Sequence, residues 1–110
     1  MPRFITYFTY TAGAAKAMIA QPSDRTAAAK ALVESLGGTL EGFYWMQGAH
    51  DGFLITNLPD GDVGAALSLA ASATGDIANL ESHQIYDQDD QAAILKKAAV
   101  ARGAYRPPTA

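Results

Sequence analysis

Two histidines and the acidic residues near them are the side chains of this chain best suited to moving a proton. His50 and Asp51 lie together in FYWMQGAHDGFLI, residues 43–55, where a polar kink separates two apolar bursts. An imidazole titrates near neutrality, so His50 could act as acid or base on a bound molecule, and Asp51 could orient a histidine supplied from elsewhere. Adjacent side chains on a hairpin diverge, which disfavours a direct pair; the plainer alternative is an aspartate that caps the turn beside a solvated histidine. His83 follows Asn79 and Glu81 at alternate positions, so in an extended segment all three project to one side. If buried, Glu81 and His83 would make a proton shuttle, or His83 one ligand of a metal or haem; otherwise the row makes ordinary hydrogen bonds at a subunit seam or in solvent. His50, Asp51 and His83 are thus the catalytic candidates.

Tyr7, Phe43, Tyr44 and Trp45 could stack on a flat organic ligand or simply fill core and interface. Tyr7, Tyr44, Trp45 and Glu81 are the ligand-binding candidates. With no cysteine and two histidines, thiolate chemistry is excluded and a closed zinc site, which takes four N or S ligands, is disfavoured. SASATG lacks the spacing of a phosphate-binding loop, no G-x-G-x-x-G follows a strand, and no serine sits in an elbow motif. No metal or cofactor is expected. Eight basic against eleven acidic residues give a net charge of −3, with the bases scattered, so the footprint of a nucleic-acid binder is missing.

These residues need elements to hold them. Residues 3–10 alternate Phe4, Thr6, Phe8 and Tyr10 against Arg3, Ile5, Tyr7 and Thr9, a strand pattern. Residues 11–20 suit a short helical turn that Pro22 stops. Ser23 is placed to cap a helix carrying Ala28, Ala31, Leu32, Ser35 and Leu36 on one stripe, closed by Gly37 and Gly38. Thr39–Gln47 and Gly52–Asn57 read as a hairpin, with Gly48 available for positive φ. An alanine-rich helix is expected over Asp62–Thr74 and a strand over Ile77–Tyr86. Asp89 and Asp90 then lead a last helix through Gln91 to Arg102, with Ile94, Leu95, Ala98 and Ala101 as its apolar face. The tail AYRPPTA reads as extended. The order is the split βαβ pattern of an α+β, ferredoxin-like βαββαβ antiparallel sheet with helices on one face and an extra C-terminal helix. Residues 1–87 form the domain; residues 88–110 are expected to pack on it or on a neighbour.

Both sides of that sheet look apolar. On strand two, Leu40, Tyr44 and Met46 alternate with Phe43 and Trp45; Leu54 opposes Phe53 and Ile55; Phe4 and Phe8 oppose Ile5 and Tyr7. Helices can cover one side only. Leaving the other to water would expose a patch larger than soluble monomers usually carry. Covering about 400 Å² of it at about 25 cal/mol per Å² contributes roughly 10 kcal/mol before association costs of similar size. We therefore expect a homodimer or higher homo-oligomer, sheet to sheet, with an aromatic pocket near the open face. The first residues lack the apolar run of a secretory signal, and no run approaches the ~20 residues of a membrane span, so a cytoplasmic setting is expected, without membrane or nucleic-acid partners.

Tyr10-Thr11 closing strand one, Pro22 and Arg25 before the second helical segment, Gly37-Gly38, Phe43-Tyr44, Gly48 and Asp51 at the hairpin, and Pro59-Asp60 together resemble the GYD-domain family over residues 3–87. The hairpin stretch here is GAHD, which keeps Asp51 and places His50 where the family has tyrosine. The resemblance implies a ferredoxin-like domain similar to dimeric α+β barrel proteins, a group that includes isomerases, cofactor-free monooxygenases and haem-handling enzymes. Fold kinship does not deliver a reaction. Two functions stay open: a homo-oligomeric small-molecule binding or assembly module, and a cofactor-independent isomerase or monooxygenase acting on a small aromatic compound at the sheet face.

Overall fold

The alternation in residues 3–10 suits a pleated surface packed on both sides, and these residues form β1 (Arg3–Tyr10), an inner strand of the sheet. In the computed structural model, which describes residues 1–109, the chain continues through α1 (Ala12–Ala20), α2 (Arg25–Glu34), β2 (Thr39–Trp45), β3 (Gly52–Asn57), α3 (Gly61–Ser72), β4 (Ile77–Ile85) and α4 (Gln88–Ala104). The four strands form one antiparallel sheet in the order β2-β3-β1-β4. β1 and β2 point the same way with β3 between them, so the α+β ferredoxin-like architecture read from the sequence is the one observed. Among the described residues no helix is long and apolar enough to cross a membrane. Ala110, the end of the AYRPPTA tail, lies outside the described residues.

Every helix begins on a side-chain oxygen: Thr11, Asp24, Asp60 and Asp87 each accept a hydrogen bond from the backbone N–H three residues on. Asp24 therefore takes the capping role expected of Ser23, whose hydroxyl lies 3.5 Å from Arg25 Nη1 instead. Asp87 and Asp90 make a reciprocal capping box, which starts α4 at Gln88, before the aspartates expected to lead it. Gly37 and Gly75 follow α2 and α3 with φ of +83° and +80°, the left-handed conformation that ends a helix without a Cβ penalty.

Register sorts the side chains. Phe4, Thr6, Phe8 and Tyr10 share one side of the sheet with Leu54, Thr56, Phe43 and Ser82; α1, α2 and α3 lie over this side. The opposite side carries Ile5, Tyr7, Tyr44, Phe53, Ile55, Glu81 and His83. A bulge at Glu41 corrects one expectation. Leu40 pairs with Thr56 but Gly42 with Ile55, so the extra residue flips the alternation, and Leu40 lies with Phe43 and Trp45 instead of with Tyr44.

The core is small: Val33, Leu58 and Leu67 are buried, with Phe4 and Leu54 packed against them. The stripe expected on α2 is rotated accordingly. Val33 is its buried residue because Gly38, lacking a Cβ, lets Val33 and Leu58 close over it; Ala28 and Ala31 are exposed, and Leu36 lies past the helix end. Helix α4 packs along neither side of the sheet and buries none of its residues. Its Ile94, Leu95 and Val100 stay exposed, as does Tyr105 just past its end, at 64%. A helix of that length spans about 25 Å, which accounts for much of the 60 Å long axis of the molecule.

Candidate functional site

The sheet wall facing the helices is aromatic, and the helix wall facing the sheet is built from small residues. Phe4, Phe8, Tyr10 and Phe43 project from the strands toward Ala14 and Ala17 of α1, Ala28 and Ala29 of α2, and Gly64, Ala65 and Ala71 of α3. Alanine is a strong helix former but cannot reach across a layer, so the space a leucine would occupy stays open. The result is a cavity of about 650 Å³ between sheet and helices. Packed cores leave few voids larger than a water, whereas ligand pockets run from about 300 to 1,000 Å³, so this volume belongs to the second class.

The aromatic floor is a connected cluster. The Phe8 ring stacks on Phe43 at 5.2 Å and meets Tyr10 edge-on at 5.3 Å. Trp45 closes the cluster from the rim, 5.9 Å from both Phe8 and Phe43 and 5.7 Å from Tyr10, and remains half-exposed. Gly52 makes this possible, because a Cβ there would collide with the Phe8 ring. Polar groups on the walls are few: Thr6 and Ser82 hydroxyls bonded to each other at 2.8 Å, Thr56, Ser68, Thr74, the Tyr10 phenol, and two charged side chains, Arg25 and Asp76.

The residues singled out in the sequence fall in three places. Tyr7, Tyr44, His50, Glu81 and His83 lie on the side of the sheet away from the cavity. There a row of rings runs across three strands: Tyr44 to Phe53 at 5.1 Å, Phe53 to Tyr7 at 6.0 Å, Tyr7 to His50 at 5.3 Å. His50 folds back from the hairpin so that Nδ1 lies 3.2 Å from Thr9 Oγ1. His83 Nε2 and Glu81 Oε2 are 3.2 Å apart on the edge strand, with both side chains more than half exposed. Trp45 belongs to the cavity side. Asp51 belongs to neither: its Oδ2 accepts the Tyr10 N–H at 2.8 Å, its own N–H donates to the Phe8 carbonyl, and its carbonyl accepts from Met46 N–H. The fold therefore brings His50 near Tyr7 and His83 near Glu81, but gathers no catalytic pair with Asp51. Among the described residues no group of three or more His, Cys, Asp or Glu side chains could hold a metal ion.

One ion-pair cluster marks the far end of the open side. Arg3 donates to Glu41 Oε2 from Nε at 3.1 Å and Nη2 at 2.7 Å, and Asn57 Nδ2 donates to Glu41 Oε1 at 2.9 Å. The bulge pushes Glu41 out far enough to reach across β3 to β1. These hydrogen bonds, Arg3 first and Asn57 second, hold the Glu41 carboxyl below the usual glutamate range and raise the Arg3 guanidinium in turn.

The cavity walls are hard to see in the sequence because their signal, alanines and glycines at helical spacing opposite aromatic strands, is indistinguishable from helix propensity. The GYD domain model matches residues 4–95, which takes in most of β1, the three other strands and the first half of α4, and the chain belongs to that family. No curated protein and no solved structure matches it.

Proposed function

We propose that this GYD-domain chain is a homo-oligomeric module that holds a small, largely apolar molecule between its sheet and helices α1–α3. The observation that carries the proposal is the cavity of about 650 Å³ with an aromatic floor and alanine walls. A flat organic molecule would bury its faces against Phe4, Phe8 and Phe43, and the few wall hydroxyls would orient it. A binding role is favoured over proton-transfer catalysis because His50 and His83 both lie on the opposite side of the sheet, so neither reaches such a ligand.

The open side supports the assembly half of the proposal. Tyr44, half-exposed, and the partly exposed Tyr7, Phe53, Ile5 and Ile55 form an apolar row on the side opposite the cavity, and α4 carries its exposed Ile94, Leu95 and Val100 away from the body. A second copy docking its sheet on this row, in the manner of a dimeric α+β barrel, would cover both, with α4 lying along the partner.

The binding half is tested with N-phenyl-1-naphthylamine, a neutral apolar fluorophore. Saturable binding at one probe per chain is expected, and Ala71→Phe, which fills the cavity from α3, should weaken it at least tenfold. Unchanged affinity in a folded Ala71→Phe protein would place the probe elsewhere and remove the reading.

A further inference from the structure

We infer that the cavity's ligand is a monoanion, an apolar carboxylate whose charged end is held by Arg25. The inference rests on the cavity being a binding site, and it names what that site selects.

Arg25 is the first residue of α2 and lines the cavity. Its Nε is buried and has no hydrogen-bond partner, and its guanidinium touches one side-chain acceptor, Ser23 Oγ at 3.5 Å from Nη1, the outer limit of a hydrogen bond. Two other cations of the chain are ion-paired, Arg3 with Glu41 at 2.7 Å and Lys30 with Glu34 at 4.0 Å, and Arg25 differs from the rest in lining the cavity with a buried Nε. Among the described residues no carboxylate lies within ion-pair reach of Arg25.

A buried guanidinium N–H without an acceptor is costly, because the water it gave up on folding has not been replaced. The group that replaces it best is planar and anionic. A carboxylate can take the Nε–H and a neighbouring Nη–H together, two parallel charge-assisted bonds that a neutral amide or alcohol cannot match. The walls restrict the rest of the molecule to an apolar body, which the aromatic floor accommodates. The charge is limited to one, because Arg25 is the single cation on these walls and the other charged side chain, Asp76, is an acid that offers no partner to a second negative charge. That argues for a monocarboxylate over a phosphate monoester, although the guanidinium fork suits both.

The test displaces N-phenyl-1-naphthylamine from the full chain with three ligands of one shape: 1-naphthoate, 1-naphthamide and 1-naphthyl phosphate. Naphthoate should bind at least tenfold more tightly than the amide and more tightly than the phosphate. In Arg25→Leu, naphthoate and amide should become equal, each affinity being referred to the fluorophore affinity measured for that variant, with an unchanged far-UV spectrum showing that the chain is folded. Arg25→Gln, which keeps polarity and most of the length, should also abolish the preference, and Arg25→Lys should retain part of it. Equal affinity of acid and amide for the native chain overturns the inference and leaves the cavity reading standing, as does a preference that survives Arg25→Leu or a tighter phosphate. Failure of the native chain to bind the fluorophore overturns both.

Discussion

Asp51 offers a test of whether the hairpin residues do chemistry or hold the fold. Pairing between β1 and β3 ends at Phe8 and Gly52, yet β1 continues to Tyr10, whose N–H points toward a neighbour that has already turned away. Asp51 Oδ2 takes that N–H at 2.8 Å, so a side-chain carboxylate stands in for the missing strand carbonyl. A hydrogen bond to a charged group contributes about 1.5–3 kcal/mol, and the site is only half-buried, so about 2 kcal/mol is expected to be lost in Asp51→Ala. For a chain of this size about 4 °C of Tm accompanies each kcal/mol, giving a fall of about 8 °C in a thermal melt followed by circular dichroism. Asp51→Asn keeps an acceptor oxygen and gives up the charge, so it should recover about half of that loss. Tyr10 belongs to the cavity floor, so both variants, while folded, should bind N-phenyl-1-naphthylamine with slightly reduced affinity. A Tm for Asp51→Ala within 2 °C of the native value, by the same scale, would refute the strand-extension argument. So would an Asn variant no more stable than the alanine one.

Acid should weaken the fold through Glu41. Its carboxyl titrates lower in the folded chain than the usual value of about 4.3, so its contribution is complete above that value and disappears as pH falls through the lower, folded value. Urea midpoints recorded down to pH 3 should show that decline, and Arg3→Ala should flatten it; an identical pH profile in the variant would disconnect Glu41 from the effect. At the open side, Tyr44→Glu places a charge on a residue 52% exposed in the single chain. It should leave the protomer folded and convert the assembly to single chains in sedimentation at micromolar concentration, and a native chain already single would end the assembly argument. Removal of α4 after Asp87 should likewise reduce the sedimenting mass while leaving far-UV evidence of the sheet; an unchanged mass would show that the helix joins nothing.

The fold was legible because each strand and helix carries its own signal. Alternation in β1 and the paired glycines after α2 survive reading in isolation, and element ends were placed within a residue or three of those observed; the capping residues were not, since Asp24 and Asp87 take the roles expected of Ser23 and of Asp89 and Asp90. Side-chain direction was legible only where no residue is inserted. Glu41 looks like one more polar position in an alternating strand, and nothing local marks it as the bulge that moves Leu40 to the helix side. Its partners, Arg3 and Asn57, lie 38 and 16 residues away, and such a contact is set by tertiary register. The surroundings of His50 were illegible for a related reason. Its place in a hairpin leaves both a ligand-facing and a solvated imidazole open, and only the lean of the tip over β1 sets the ring against Tyr7 and Thr9.

The cavity is illegible in the sequence for a different reason: it is made by what the helices lack. Ala14, Ala29, Ala65 and Ala71 are favourable helix residues wherever they point, so helix propensity is silent about whether they face water, a packed core or an open space. Their role becomes visible only opposite Phe4, Phe8 and Phe43, once the register has put those rings on the same side. The same register separates the two aromatic groups of the sheet. Phe8 and Phe43 look toward the helices and Tyr7 and Phe53 look away, so a ligand and a second subunit would use different sides of the same strands. The separation makes the two halves of the proposed function independently breakable. Ala71→Phe should block the probe without changing the sedimenting mass, and Tyr44→Glu should split the assembly without closing the cavity. If either variant abolished both properties, the single sheet could not be serving them from opposite faces.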